Sequence, residues 1–92
     1  MEAIDKARSV IEEGAVVDGS VVQDGAFVRA GAVVLDSVVG RGAVVGERTV
    51  LHGCVVGDGA IIGPDNELGR GVRVWTDATL AAKAVRYSSD ET

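Results

Sequence analysis

From Ile11 onward an aliphatic side chain returns at nearly fixed spacing: Ile11, Val17, Val22, Val28, Val34, Val39, Val45, Leu51, Val56, Ile62, Leu68, Val74 and Leu80. The steps are six residues with an occasional five. The short steps, Val17 to Val22, Val34 to Val39 and Leu51 to Val56, themselves recur every seventeen residues. Beyond Leu51 the repeat lengthens, with eighteen residues from Val56 to Val74. A fixed period of this kind marks a solenoid, in which each unit buries its apolar side on its neighbours. Three rungs then make one triangular coil, and Val22, Val39 and Val56 are expected to lie directly atop one another.

A second register runs beside the first. Two residues before each later aliphatic stands a small side chain: Ala15, Ser20, Ala26, Ala32, Ser37, Ala43, Thr49, Cys54 and Ala60. The pattern loosens at Asn66 and Val72 and resumes at Ala78. A triangular coil has sharp corners, and only small side chains fit inward there beside the aliphatic on the flat. Glycines stand in the turns between (Gly40, Gly42, Gly46, Gly57, Gly59, Gly63, Gly69 and Gly71). There a tightly bending chain is expected to need left-handed or otherwise unusual dihedrals. Asp18, Asp24, Asp36, Asp58 and Asp65 fall in turns too, and aspartate also tolerates such dihedrals.

Other periodic folds fail on these spacings. Heptad helices need steps of three and four, and each interior glycine would cost a helix ~1 kcal/mol. A β-sandwich gives no reason for a seventeen-residue echo. The pattern predicts an all-β, single-stranded parallel β-helix of about four coils over residues 11–84.

Composition agrees. Apolar residues make up 47% of the 92 residues but aromatics only 3%, so Val and Ala must fill an interior that a globular domain fills with larger groups. The length suits one domain. A net charge of −5 argues against a nucleic-acid partner, which needs a basic face. The single cysteine, Cys54, forms no internal disulfide, so no oxidising compartment is implied. The start Met1-Glu2-Ala3-Ile4-Asp5-Lys6 lacks the apolar centre of a secretion signal, and no apolar run is long enough for a membrane span. The expectation is a cytoplasmic chain without membrane contact.

Residues 1–10 differ in kind. Ile4, Ala7 and Ile11 share one helical face among Glu2, Asp5, Lys6 and Arg8, which predicts a short helix over about residues 2–9 capping the first coil. Residues 85–92 read as a polar tail. Along the coils, alternate side chains point outward, and the residue before each inward aliphatic is apolar: Val16, Val21, Phe27, Val33, Val38, Val44, Val50, Val55 and Ile61. From Glu67 onward these positions turn polar (Glu67, Arg73, Thr79). Exposed apolar patches of this size mark contact surfaces, although β-branched residues also simply favour strands. Self-association or docking onto a partner domain is expected.

Little else carries chemistry. Acyl transfer needs a base, and His52 is the only histidine; it stands in a tight turn with its side chain expected outward, as a surface residue. Cys54 occupies the slot of Ser20 and Ser37, one repeat apart, and reads as a corner filler rather than a nucleophile. A catalytic zinc site wants three protein ligands, which one histidine does not supply. The outward threonines form no ladder of the ice-binding kind. Gly57-Asp58-Gly59 is followed by no P-loop lysine. No metal or cofactor is expected.

Several segments together resemble a known family. Asp36-Ser37-Val38-Val39-Gly40, Leu51-His52-Gly53-Cys54-Val55-Val56-Gly57-Asp58-Gly59, Asn66-Glu67-Leu68 and Val72-Arg73-Val74-Trp75 are similar to the C-terminal β-helix of sugar-1-phosphate nucleotidyltransferases, closest in style to the mannose-1-phosphate guanylyltransferase type. The opening Ala3-Ile4-Asp5-Lys6-Ala7-Arg8-Ser9-Val10-Ile11 and closing Val85-Arg86-Tyr87-Ser88-Ser89-Asp90-Glu91 resemble the flanks of that domain. The resemblance, and not the periodicity, implies the hexapeptide repeat's left-handed winding. It also implies an accessory role in oligomerisation, positioning of a catalytic domain, or regulation. In that family a separate N-terminal nucleotide-binding domain does the chemistry, so no catalytic residue carries over. The leading expectation is a non-catalytic β-helix working alone or with a separately encoded nucleotidyltransferase partner. The alternatives are an acyltransferase with a site between subunits near His52, and a stand-alone scaffold.

Overall fold

The computed structural model describes residues 9–83. The helix expected over residues 2–9 and the tail at 85–92 therefore lie outside the described residues, apart from Ser9. Thirteen short strands follow one another: β1 (Val10–Ile11), β2 (Val16–Asp18), β3 (Val21–Val22), β4 (Phe27–Val28), β5 (Val33–Leu35), β6 (Val38–Val39), β7 (Val44–Val45), β8 (Val50–His52), β9 (Val55–Val56), β10 (Ile61–Ile62), β11 (Glu67–Leu68), β12 (Arg73–Val74) and β13 (Thr79–Leu80). Each begins with an outward residue followed by one of the inward aliphatics of the sequence pattern.

All pairings are parallel, and every third strand shares a sheet. The first face stacks β1-β4-β7-β10-β13, the second β2-β5-β8-β11 and the third β3-β6-β9-β12. Val22 is in register with Val39, and Val39 with Val56, as the seventeen-residue repeat requires. Val56 then pairs with Val74 across the lengthened repeat. The winding is left-handed. Right-handed crossovers prevail where a twisted strand feeds a helix that must pack back on its sheet. Here the strands are two or three residues long and no helix intervenes, so that constraint does not act.

The interior is a single column of aliphatics. Val28, Val34, Val39, Val45, Leu51 and Ile62 are completely buried, as are the corner alanines Ala26, Ala32, Ala43 and Ala60. At the first coil Ile11, Val17 and Val22 are only partly buried, because a neighbouring described coil covers them on one side only.

The corners explain the two step lengths. In six-residue steps the small corner residue donates its N–H to a carbonyl three residues back, as Ala26 does to Gln23 (3.1 Å) and Ala43 to Gly40 (3.2 Å). The five-residue corner lacks that turn, and a side chain takes over. Ser37 N–H donates to Ser20 Oγ (3.0 Å), and Cys54 N–H donates to Ser37 Oγ (3.0 Å). Each hydroxyl in turn donates to a carbonyl, Ser37 to Leu35 (2.7 Å). Ser20 and Ser37 are thus acceptors that keep buried N–H groups satisfied, and not merely small. In the last coil Arg70 lengthens this corner to six residues, and Val72 N–H finds Gly69 O (3.3 Å) instead. The slot below Val72 then needs no hydroxyl, and Cys54 stands there.

One part of the turn reading is corrected. Gly42, Gly59 and Gly71 do have positive φ, but Gly40, Gly46, Gly57 and Gly63 do not. A Cβ on Gly46 would lie 2.4 Å from the carbonyl carbon of Gly63 in the next coil, so close approach of coils, not dihedral freedom, keeps that position bare. Of the turn aspartates, Asp36 and Asp65 have positive φ; Asp18, Asp24 and Asp58 do not. Asp58 instead accepts the Arg41 N–H at Oδ1 (3.0 Å).

Candidate interaction surface

Outward apolar residues form three vertical stripes, one on each face of the prism. The strand register puts Val10, Phe27, Val44 and Ile61 in line on the first face, ending at Thr79. Val16, Val33 and Val50 line the second, ending at Glu67. Val21, Val38 and Val55 line the third, ending at Arg73. The nine residues singled out by sequence are therefore all at outward strand positions, but three edges divide them into separate stripes. Phe27 is 40% exposed, Ile61 45% and Val21 53%. Sequence reasoning left out Val10, which precedes Ile11 as Val16 precedes Val17; it extends the first stripe to four coils.

Charges line the edges between faces. Arg29 lies 3.3 Å from Glu12 and 3.9 Å from Glu47, joining three coils along one edge. On the same edge Arg48 donates to both carboxylate oxygens of Asp65 (2.7 and 3.0 Å). Those hydrogen bonds hold the Asp65 carboxyl below the usual carboxylate range. Arg48 and Asp65 each occupy a positive-φ corner where glycine would be easiest. An open groove there is lined by Arg48, Val50, Asp65, Asn66, Glu67 and Lys83. Asn66 is buried beneath it, and its Nδ2 donates to Gly63 O and Ala81 O (both 2.9 Å), tying the last two coils together.

His52 ends β8 beside Leu35 of the coil below. Its side chain points outward and is about half exposed, with Nε2 3.8 Å from Asp36 Oδ2. Cys54 is 1% exposed, fills its corner, and directs its thiol at the carbonyls of Leu68 (3.3 Å) and Gly69 (3.1 Å). Burial pushes the thiol pKa up, the opposite of what activates a nucleophile. Among the described residues no three His, Cys, Asp or Glu side chains gather into a possible metal site, and no helix is long and apolar enough to cross a membrane. Trp75, which entered the sequence reading only within a segment of family resemblance, is 75% exposed on the last coil.

Short parallel strands, three faces and small-residue corners define a hexapeptide-repeat left-handed β-helix. Residues 4–83 match the family model for the GlmU-like C-terminal hexapeptide domain, and the chain belongs to that nucleotidyltransferase-associated family. No individual curated protein matches it significantly.

Proposed function

We propose that this chain is the accessory β-helix of a sugar-1-phosphate nucleotidyltransferase system, of the mannose-1-phosphate guanylyltransferase type and cytoplasmic. Its role is contact, with other copies or with a catalytic domain, rather than chemistry. The observation that carries the reading is the pairing of an aliphatic interior with apolar stripes on the outside of the early coils. A surface that the fold does not need is available for a partner. The family match supports the nucleotidyltransferase connection, and the segments around Cys54 and Trp75 support the guanylyltransferase type by resemblance.

Two assays test this. Incubated with mannose 1-phosphate and GTP, the isolated chain is expected to release no pyrophosphate; release would overturn the accessory role. Mixed with a mannose-1-phosphate guanylyltransferase catalytic domain, it is expected to co-sediment, and separate migration at all concentrations would remove that partner.

The Asp36–His52 approach favours a second reading, in which His52 acts as a base for acyl transfer between subunits, oriented by the carboxylate. Acyl-CoA turnover that His52→Ala abolishes would establish it, whereas equal turnover in both forms, or none, would end it.

A further inference from the structure

We infer that the Asp24-Gly25 junction, at a corner of the first coil, is a site of spontaneous backbone isomerisation. The product is a substrate for a carboxyl methyltransferase of the isoaspartate-repairing class. The reaction needs an unengaged glycine nitrogen and an unengaged aspartate carboxyl. Gly25 nitrogen attacks Asp24 Cγ, the N–H proton and the carboxyl hydroxyl leave as water, and a succinimide ring closes. Water then re-enters at either ring carbonyl. Addition at the side-chain carbonyl restores aspartate. Addition at the former main-chain carbonyl leaves the chain running through Cβ and Cγ, with a new carboxylate on Cα. The water lost is regained, and nothing is oxidised or reduced.

The molecule carries a matched pair of such junctions. Asp24-Gly25-Ala26 and Asp58-Gly59-Ala60 have the same residues, two seventeen-residue repeats apart. They also share a turn. Ala26 N–H donates to Gln23 O (3.1 Å) and Ala60 N–H to Gly57 O (3.2 Å), with φ of 76° at Gly25 and 71° at Gly59. Such a bond around a third residue of positive φ is a type II turn. The difference lies in the coil below. Gly59 N–H donates to Arg41 O (2.8 Å), and Asp58 Oδ1 accepts the Arg41 N–H (3.0 Å). Both reacting groups are engaged there, and both bonds must break before the ring closes. Among the described residues, the Gly25 N–H and the Asp24 carboxylate have no such partner, and both residues are exposed.

A third junction, Asp18-Gly19, also lacks a partner for its glycine N–H among the described residues. Its backbone is held more firmly. Asp18 pairs with Leu35 in β2, and its carbonyl accepts both the Asp36 N–H (3.0 Å) and the Ser20 Oγ–H (2.9 Å). The Asp24 carbonyl accepts a single N–H, from Gly42 (3.0 Å). The peptide that must turn toward the carboxyl is therefore looser at Asp24.

The test holds the full chain at neutral pH and body temperature for several weeks. Peptides are then mapped by electron-transfer mass spectrometry, which separates isoaspartyl from aspartyl forms. Isoaspartate is expected to accumulate at residue 24 at least ~10-fold faster than at residue 58, the effect of two hydrogen bonds, with residue 18 between them. In urea the two rates are expected to converge, because the surrounding residues are alike. Arg41→Pro suits the second position of its own turn and removes the N–H that holds Asp58. It is expected to raise the rate at residue 58 by about threefold, with a circular-dichroism melt showing that the fold persists; where the melt is lost, the wild-type comparison decides. Given a protein isoaspartate methyltransferase and labelled S-adenosylmethionine, the aged chain is expected to take up label. Asp24→Glu, which would have to close a larger ring, is expected to lose most of that label. No isoaspartate at residue 24, residue 18 or 58 leading or equalling it, a gap that persists in urea, or undiminished label in Asp24→Glu would overturn the inference.

Discussion

The first three coils and the last coil have nearly the same inside and different outsides. Leu68 and Val74 are still buried, at 2% and 7% exposure, and pair with their counterparts in the coil below in unbroken register. Yet the outward positions of β11, β12 and β13 hold Glu67, Arg73 and Thr79, where the earlier coils hold valine, phenylalanine or isoleucine. The strands form equally well in both regions. Strand propensity alone therefore does not account for the apolar exterior of the early coils, since the last coil shows that the fold does without it. The inside specifies the solenoid, and the outside is free to carry something else.

Substitutions can break this contrast, and the largest effects belong inside. Leu51→Ala in a middle coil is expected to lose ~2–5 kcal/mol of stability in urea unfolding, from lost burial plus an unfilled cavity. Leu80→Ala, at a partly buried end position, is expected to lose less than half as much. Equal losses would mean that the coils do not depend on their neighbours. Next come the corners. Ser37→Ala strands the buried N–H of Cys54 and is expected to cost ~1–3 kcal/mol. Cys54→Ser, which offers a hydroxyl to the Val72 N–H that a turn bond already serves, is expected to bring no gain. A stabilising Cys54→Ser would contradict the division of labour between turn and hydroxyl.

The smallest expected effect is electrostatic. Asp65 has its folded pKa lowered by Arg48, so the pair's contribution is present above the unfolded aspartate value of about 3.9. It is lost as pH falls through the lower folded value. Arg48→Gln is therefore expected to make Tm slightly less sensitive to acid below about pH 4, with little change at neutral pH because the pair is exposed. A variant as acid-sensitive as wild type would show the pair to be idle.

Much of this was legible from the residues. Every inward aliphatic from Val17 to Leu80 stands where the five-and-six spacing places it, because each rung repeats the same local problem and solves it with the same residue types. The seventeen-residue echo also sets which rungs stack. The hydrogen-bonding duty of Ser20 and Ser37 was hidden, because a list of small residues does not separate alanine from serine until the missing turn bond of the short corner is seen. Gly46 and Gly63 were misassigned for a related reason: sequence shows a glycine but not whether backbone angle or a neighbouring coil demands it. The edge pairs Glu12–Arg29 and Arg48–Asp65 are each one repeat apart and could have been found by comparing charges at that separation. The helix and tail expected at the two ends lie beyond residues 9–83 and stay as expectations. The apolar stripes were visible as positions, whereas their purpose depends on a partner that the residues do not name.

The most direct test replaces Phe27, Val44 and Ile61 together by threonine, the residue that Thr79 already places on the same stripe. If interior columns alone hold the solenoid, thermal unfolding should stay within a few degrees of wild type, while sedimentation shows association lost. A transition lowered as far as that of Leu51→Ala, or association left intact, would contradict the separation of a structural inside from a contact-making outside.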